Sequence, residues 1–350
     1  MIVRENYSEE HIRNLQKTLG SDPQLIERSL YAMGLLEALV QTGMQFIFKG
    51  GSCLMLLLPN ILRLSTDIDI IVSEGTDVRT YLESVSHIFP FARYEEQLRI
   101  GKNSIKKQHF KFVYYSPIRQ SEFYILLDIL YEENNYAELV EKGINNEILL
   151  TNGEDARIKM PTIDCILGDK MTAFAPHTTG ISIHVGKNLE VMKQFFDITT
   201  LIDYIENYDN VLKTYERVVA SEISYRGEKF NKEDVIKDTI DAAVSIASRG
   251  RVGATDYQAY VEGIRGLSTH TISQSFNGEI ASYKAPKIIY LSVCLLTATT
   301  FERVCDYEPY ISEGLTQPEF LALTKMKKAN PMQYAYVAKA DRLLREYRTR

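Results

Sequence analysis

Between Phe48 and Val72 the chain reads FKGGSCLMLLLPNILRLSTDIDIIV. Its final segment, Arg63–Val72, is rich in β-branched residues and alternates in polarity, which predicts a strand. Residues two apart in a strand share a face, so Asp67 and Asp69 project to one side and Ile68, Ile70 and Val72 to the other. The apolar side must pack. The polar side then carries two like charges roughly 7 Å apart at Cα, and burying them is costly unless a cation lies between them. A divalent ion removes that penalty, and Mg²⁺ is commonly held by one or two carboxylates plus substrate phosphates. An Asp-x-Asp at an exposed strand end can also be without function, so the pair alone is a weak signal.

The turn ahead of it adds information. Lys49-Gly50-Gly51-Ser52 separates a short apolar run, Gln45–Phe48, from a helical segment over Cys53–Leu58, with Ser52 placed as its N-cap. Two glycines let backbone N–H groups approach an anion, and a helix N-terminus adds partial positive charge. The GxxxxGK[ST] order of a P-loop is absent. A turn of this kind, just upstream of a paired-carboxylate strand, forms half of a site for a metal-bound triphosphate.

Outward from this stretch, residues 8–42 read as two helices, the second starting at Asp22-Pro23. Residues 77–88 are helical in pattern. Phe89–Ile100 and His109–Tyr115 predict a hairpin whose tip carries Lys102, Lys106 and Lys107, and Phe123–Leu130 is a further strand with Asp128 as its one charge. After Pro161 the strand signals fade. Helices are expected over Thr162–Phe174 and Leu189–Tyr204, joined by a loop, and only helical patterns follow from about residue 210. The expected fold class is α+β. Residues 1–205 form a domain with a small mixed sheet and helices, residues 206–350 an all-helical domain, and the boundary is soft between 155 and 210.

The whole sequence numbers 350 residues, 45% hydrophobic and 25% charged, the balance of a globular protein. No apolar run approaches the roughly 20 residues that span a bilayer, and the N-terminus lacks a signal-peptide stretch, so a cytoplasmic location without membrane contact is expected. The four cysteines are scattered, indicating neither a zinc site nor a disulfide framework. A net charge of −6 does not attract nucleic acid, so RNA contact requires a local basic patch. From Phe320 onward eight Lys or Arg oppose Asp341 and Glu346; Lys339, Arg342, Arg345 and Arg348 are spaced by three along a helix.

The Phe48–Val72 stretch resembles the active-site signature of the polymerase-β-like nucleotidyltransferases, a Gly-Gly-Ser turn and helix followed by a strand with Asp-x-Asp. With Lys49 ahead of the glycines and Arg63-x-Ser65 ahead of the carboxylates, it looks like the AbiEii/AbiGii toxin family of abortive-infection systems. GDKMTAFAPHTTGI (Gly168–Ile181) and KQFFDITTL (Lys193–Leu201) resemble that family's later motifs, a lysine on one helix and an aspartate on the next. The likeness covers about 45–200 and weakens beyond. The loop from Ser52 to Asp67 is longer than in many polymerase-β-like enzymes, which suits the toxin branch.

The resemblance implies a polymerase-β-like domain transferring a nucleotide from an NTP to an acceptor hydroxyl. Catalysis would rest on Asp67, Asp69, Asp128, Lys170 and Asp197, with Asp67, Asp69 and Asp128 holding Mg²⁺, or Mn²⁺ in its place. Asp128 stands where such sites carry a third carboxylate, a metal ligand or base. The nucleotide would lie on Lys49, Gly50, Gly51 and Ser52, with Arg63 and Ser65 within reach of phosphate oxygens. Lys170 also has an argument of its own. It shares a helical stripe with Ile163, Leu167 and Phe174, and a lysine inside an apolar stripe needs an anionic partner. Asp197 borders the apolar arc of Phe195, Ile198, Leu201 and Ile202, where pairing with Lys170 is as natural as catalysis. His177 and His184 lack a recognisable third ligand and are expected to be loop polar groups. The family likeness further implies a toxin with a separate antitoxin partner, its acceptor a tRNA end held by local basic patches. The alternatives are a transferase acting on a small molecule such as an antibiotic, and a nucleotide-binding module without turnover.

Overall fold

A computed structural model describes residues 1–97, 106–272 and 275–349. The chain divides into two compact units, Met1–Thr162 with Thr269–Ser275, and Ile163–Ser268 with Phe276–Arg350. Lys102 and Arg350 lie outside the described residues.

In the first unit, helices α1 (Glu9–Leu19) and α2 (Pro23–Gln41) precede strand β1 (Ile47–Lys49) and a single-turn helix α3 (Leu54–Leu57). Asp22 caps α2 by accepting from Gln24 N and Leu25 N, with Pro23 in the first turn where no N–H is needed. Then come β2 (Asp67–Val72), α4 (Val78–Ser86), β3 (Phe91–Glu96), β4 (Lys107–Ser116) and β5 (Ser121–Tyr131). These strands form one sheet in the order β1-β2-β5-β4-β3. β2 and β5 run parallel, while β1–β2, β5–β4 and β4–β3 are antiparallel. The paired strands and the Asp128 strand are therefore where periodicity puts them. Lys107, expected at the hairpin tip, is instead the first residue of β4, and residues 98–105 lie outside the described residues. Two further strands, β6 (Leu139–Gly143) and β7 (Arg157–Pro161), make a separate antiparallel pair. Sequence reading missed them because each is only five residues long and β6 (LVEKG) does not alternate, although Arg157-Ile158-Lys159-Met160 of β7 does.

α2 covers one face of the large sheet. Tyr31 stacks on Tyr114 of β4 with ring centroids 3.8 Å apart, and the buried Glu27 accepts from Tyr114 Oη, Ser116 Oγ and Ile118 N at 2.9, 2.9 and 3.2 Å. Burial and the Glu27 carboxylate push the Tyr114 phenol well above its ordinary range, so it stays a donor. With that face packed, Phe110, Phe112, Ile125, Leu127, Ile68 and Ile70 form the core beneath it, and the alternate residues point to the other side.

The second unit is helical: α5 (Ile163–Ala173), α6 (Asn188–Leu201), α7 (Tyr208–Tyr225), α8 (Lys232–Ala247), α9 (Ala254–Leu267), α10 (Gly278–Thr297), the short α11 (Glu308–Ile311) and α12 (Met326–Ala329), and α13 (Pro331–Arg348). α5 and α7 approach so closely at Gly168 that a Cβ there would stand 2.6 Å from the Val211 carbonyl oxygen. Thr269–Ile272 returns to the first unit, where Leu64 N donates to His270 O and Ile272 N to Leu62 O, each at 2.9 Å, bracketing Arg63. Among the described residues no helix is long and apolar enough to cross a membrane.

Candidate active site

Strand register assembles the carboxylates. On β2, Asp67 and Asp69 are half-buried while Ile68 and Ile70 are fully buried, the alternation expected of one packed face. Asp69 is paired in register with Asp128 on β5. The same row continues outward to Lys49 on β1 and to His109 on β4. Four strands thus carry Lys49, Asp69, Asp128 and His109 side by side on the face away from α2. His109 Nδ1 lies 2.7 Å from Asp128 Oδ1. Lys107 and Lys111 flank His109 at two-residue spacing on β4. Lys49, Asp69, Lys107, His109 and Asp128 together line a cavity of about 140 Å³.

Asp67 has a cation of its own: Arg28 Nη2 on α2 stands 3.3 Å from Asp67 Oδ1, and Thr66 Oγ1 donates to the same oxygen. Arg28 and His109 were not among the residues expected from sequence. Alternation along Lys107-His109-Lys111 was available to place His109 on a polar face, but only the pairing of β4 with β5 sets it against Asp128.

The glycine turn packs onto this row. Gly50 has φ +82°, a conformation that favours glycine. A Cβ on it would collide with the Asp69 carboxylate, and one on Gly51 would collide with the Arg63 guanidinium. Arg63 is buried and donates through Nη1 to Leu64 O at 3.3 Å. Ser52 corrects an expectation. Gly51–Cys53 is a 3₁₀ turn, the residue capping α3 is Cys53 and no side-chain cap forms. The buried Ser52 hydroxyl instead sits between Ser65 Oγ, at 2.9 Å, and the Asp67 carbonyl oxygen, tying the turn to the start of β2. The helix is too short for an N-cap to matter much, and a hydroxyl 1% exposed takes its partners from the chain around it.

Lys170 and Asp197 belong to the second unit and pair with each other. Lys170 Nζ is 2.7 Å from Asp197 Oδ2 and 3.1 Å from Gln194 Oε1, with side chains 6% and 1% exposed for the pair. The anionic partner that Lys170 requires is thus supplied by α6. His177 and His184 converge through their Nε2 atoms on Asp256, at 2.8 and 3.1 Å, fastening their loop to α9.

Among the described residues no three His, Cys, Asp or Glu stand as a ready-made metal cage. The donor chemistry nonetheless suits a hard divalent cation. Three carboxylates share one face, two of them adjacent in register, and such an ion completes its shell with phosphate and water oxygens.

A small mixed sheet with Asp-x-Asp on one strand, a third carboxylate in register beside it and a glycine–serine turn against the pair define a nucleotidyltransferase. The sequence model of the family described as nucleotidyl transferase AbiEii toxin, type IV toxin–antitoxin system, matches residues 34–277, and the chain belongs to that family. No curated protein matches the sequence significantly. Among solved structures, MenT4, a nucleotidyltransferase toxin from Mycobacterium tuberculosis, shares the fold with a TM-score of 0.51 at 10% identity, over 94% of this chain and 97% of that one. JHP933 from Helicobacter pylori aligns with a TM-score of 0.44 at 14% identity, over 78% and 94% of the two chains.

Proposed function

We propose that this nucleotidyltransferase moves a nucleotide from an NTP to an acceptor hydroxyl in a Mg²⁺-dependent reaction, with Asp67, Asp69 and Asp128 as its reactive carboxylates. The observation that carries the reading is the in-register pair Asp69–Asp128 with Gly50 packed against Asp69. Backbone N–H groups of Gly51 and Ser52 receive the triphosphate, and the Arg63 guanidinium against Gly51 offsets its charge with a planar fork of donors. Asp67 and Asp69 would hold the Mg²⁺ ion, whose positive charge would offset the charge developing on the phosphoryl oxygens. Asp128 accepts the proton of the acceptor hydroxyl as its oxygen attacks the α-phosphorus. Arg28 holds Asp67 in place from α2. Lys170 and Asp197, a buried ion pair within the second unit, are assigned to the reaction by family resemblance.

The proposed setting is the cytoplasm, with a separate antitoxin as partner and an RNA end such as that of tRNA as acceptor; family membership supports this. Incubation with α-labelled NTPs and total RNA, with and without Mg²⁺, tests it. Label entering RNA with release of pyrophosphate is expected. Pyrophosphate released only when a small hydroxylated molecule is supplied would favour the small-molecule transferase, and NTP binding without pyrophosphate would leave a nucleotide sensor.

A further inference from the structure

His109 has no part in the reading above, yet it makes the closest contact to Asp128 among the hydrogen bonds described. We propose that His109 is a positioning residue: by donating its Nδ1 proton to Asp128 Oδ1 it fixes the rotamer of that carboxylate and dedicates the other oxygen, Oδ2, to the acceptor hydroxyl. This rests on the nucleotidyltransferase reading of the site.

The chemistry of the two groups dictates the direction of the bond. An ionised carboxylate can only accept, so Nδ1 must carry the hydrogen. Free imidazole has no such obligation; the carboxylate imposes it. The geometry is held from both ends. His109 and Asp128 are register partners, so the β4–β5 ladder holds their backbones directly opposite each other. The His109 carbonyl oxygen accepts from Gln97 N at 2.7 Å, anchoring the same residue to the other side. Burial distinguishes the roles: the imidazole is 15% exposed and the carboxylate 34%. Both groups line the cavity shared with Lys49, Asp69 and Lys107, and the more accessible carboxylate is the one open to an acceptor.

In the transfer step the acceptor hydroxyl gives its proton to Oδ2 and its oxygen bonds to the α-phosphorus. The bond from that phosphorus to the bridging oxygen breaks, and the electron pair leaves with pyrophosphate. His109 keeps its proton throughout. Its contribution is to spare Asp128 the search among rotamers, so its loss lowers kcat and leaves KM for the NTP unchanged.

Two measurements on the full chain test this. The first needs no turnover. Long-range ¹H–¹⁵N correlation on histidine-labelled protein, at about pH 8 and so above the ordinary imidazole range, reports which ring nitrogen of His109 is protonated, with His109→Asn supplying the assignment. Nδ1 protonated in the wild type, shifting to Nε2 in Asp128→Ala, is expected; an unprotonated Nδ1 in the wild type overturns the proposal. The second is kinetic, with α-labelled NTPs and total RNA. Asparagine offers an amide N–H near the position of Nδ1, so His109→Asn should stay within about threefold of wild type, while His109→Phe should lose about 10–100-fold in kcat. Equal activity in His109→Phe, or an equal loss in His109→Asn, overturns the positioning role. A wild type that transfers nothing overturns the nucleotidyltransferase reading instead, and the tautomer result then decides the His109–Asp128 geometry by itself.

Discussion

Replacing Asp69 by Asn removes one charge from a face that also carries Asp67 and Asp128. Arg28 offsets Asp67 and His109 contacts Asp128, and removing the third negative charge lowers the repulsion among the carboxylates on this face. Transfer should be abolished with the melting temperature equal to wild type or slightly higher; an active Asp69→Asn protein would remove the two-carboxylate mechanism. Lys170 behaves oppositely. By periodicity alone a methionine fits the apolar stripe of α5 and the variant should be no less stable. The structure reverses that sign, because Asp197 is 1% exposed and loses its ion-pair partner. Breaking a buried ion pair by removing one partner costs about 3–5 kcal/mol, to be read as a drop in urea midpoint for Lys170→Met. The double variant with Asp197→Leu should recover much of it, since both buried charges are then removed together. Full stability of Lys170→Met would mean that the pair contributes nothing to the fold.

The Gly50 turn and helix α13 show what elements add. Gly50→Ala forces a side chain into a left-handed conformation against the Asp69 carboxylate, costing at least about 1 kcal/mol and moving the nucleotide's cradle. Transfer should fall further than stability does, and KM for the NTP should rise. On α13 the basic series loses its isolation: Lys339 pairs with Glu302 at 3.0 Å, Arg348 with Glu319 at 2.6 Å, and Arg342 with Glu313. Arg342, Arg345 and Arg348, spaced by three on one helix, would as a solvated run supply three phosphate contacts. With two of the three arginines engaged by acids, Arg342, Arg345 and Arg348 all changed to Gln should alter the salt slope of RNA binding by no more than about one contact. A change of three would restore the helix as an RNA-binding surface. The Arg348 guanidinium donating to Glu319 holds that carboxyl below its ordinary value. The pair therefore stabilises the fold above about pH 4.5, and that contribution is lost as pH falls through the lower folded value. Arg348→Gln should remove this part of the acid sensitivity, seen as a flatter urea midpoint across that range.

At the scale of the whole molecule, ligand linkage reports the site without an acceptor. Mg²⁺–NTP at 100 times its dissociation constant should stabilise the wild-type chain by about 2.7 kcal/mol, and Asp69→Asn should lose most of that gain. Equal thermal shifts in both proteins would place the nucleotide away from the carboxylate row. With a net charge of −6, the protein has no overall field to draw in a polynucleotide. Any RNA affinity should accordingly be weak at high salt and depend on local cations such as Lys49, Lys107 and Lys111 on the sheet face.

The sequence by itself determined what depends on neighbours a few residues apart. Two-residue periodicity put Asp67 and Asp69 on one face, Asp22-Pro23 marked the start of α2, and the glycine pair marked the turn. Three motifs in order, spread over about 45–200, were enough to give the family, which needs only local patterns. Tertiary structure decided every relation between distant segments. Asp128 stands beside Asp69 because β5 inserts next to β2, and His109 reaches Asp128 because β4 pairs on its other side in one particular register. A strand's own pattern fixes which face a side chain takes but not which residue of another strand lies opposite. Charge has the same limit. Lys170 shows in sequence as a cation in need of an anion, and the basic run of α13 as a surplus, yet the partners come from other elements: Asp197 on α6, Glu302, Glu313 and Glu319 from segments before α13. Coulombic pairing acts through space, so a charge count along the chain cannot say which charges are already answered.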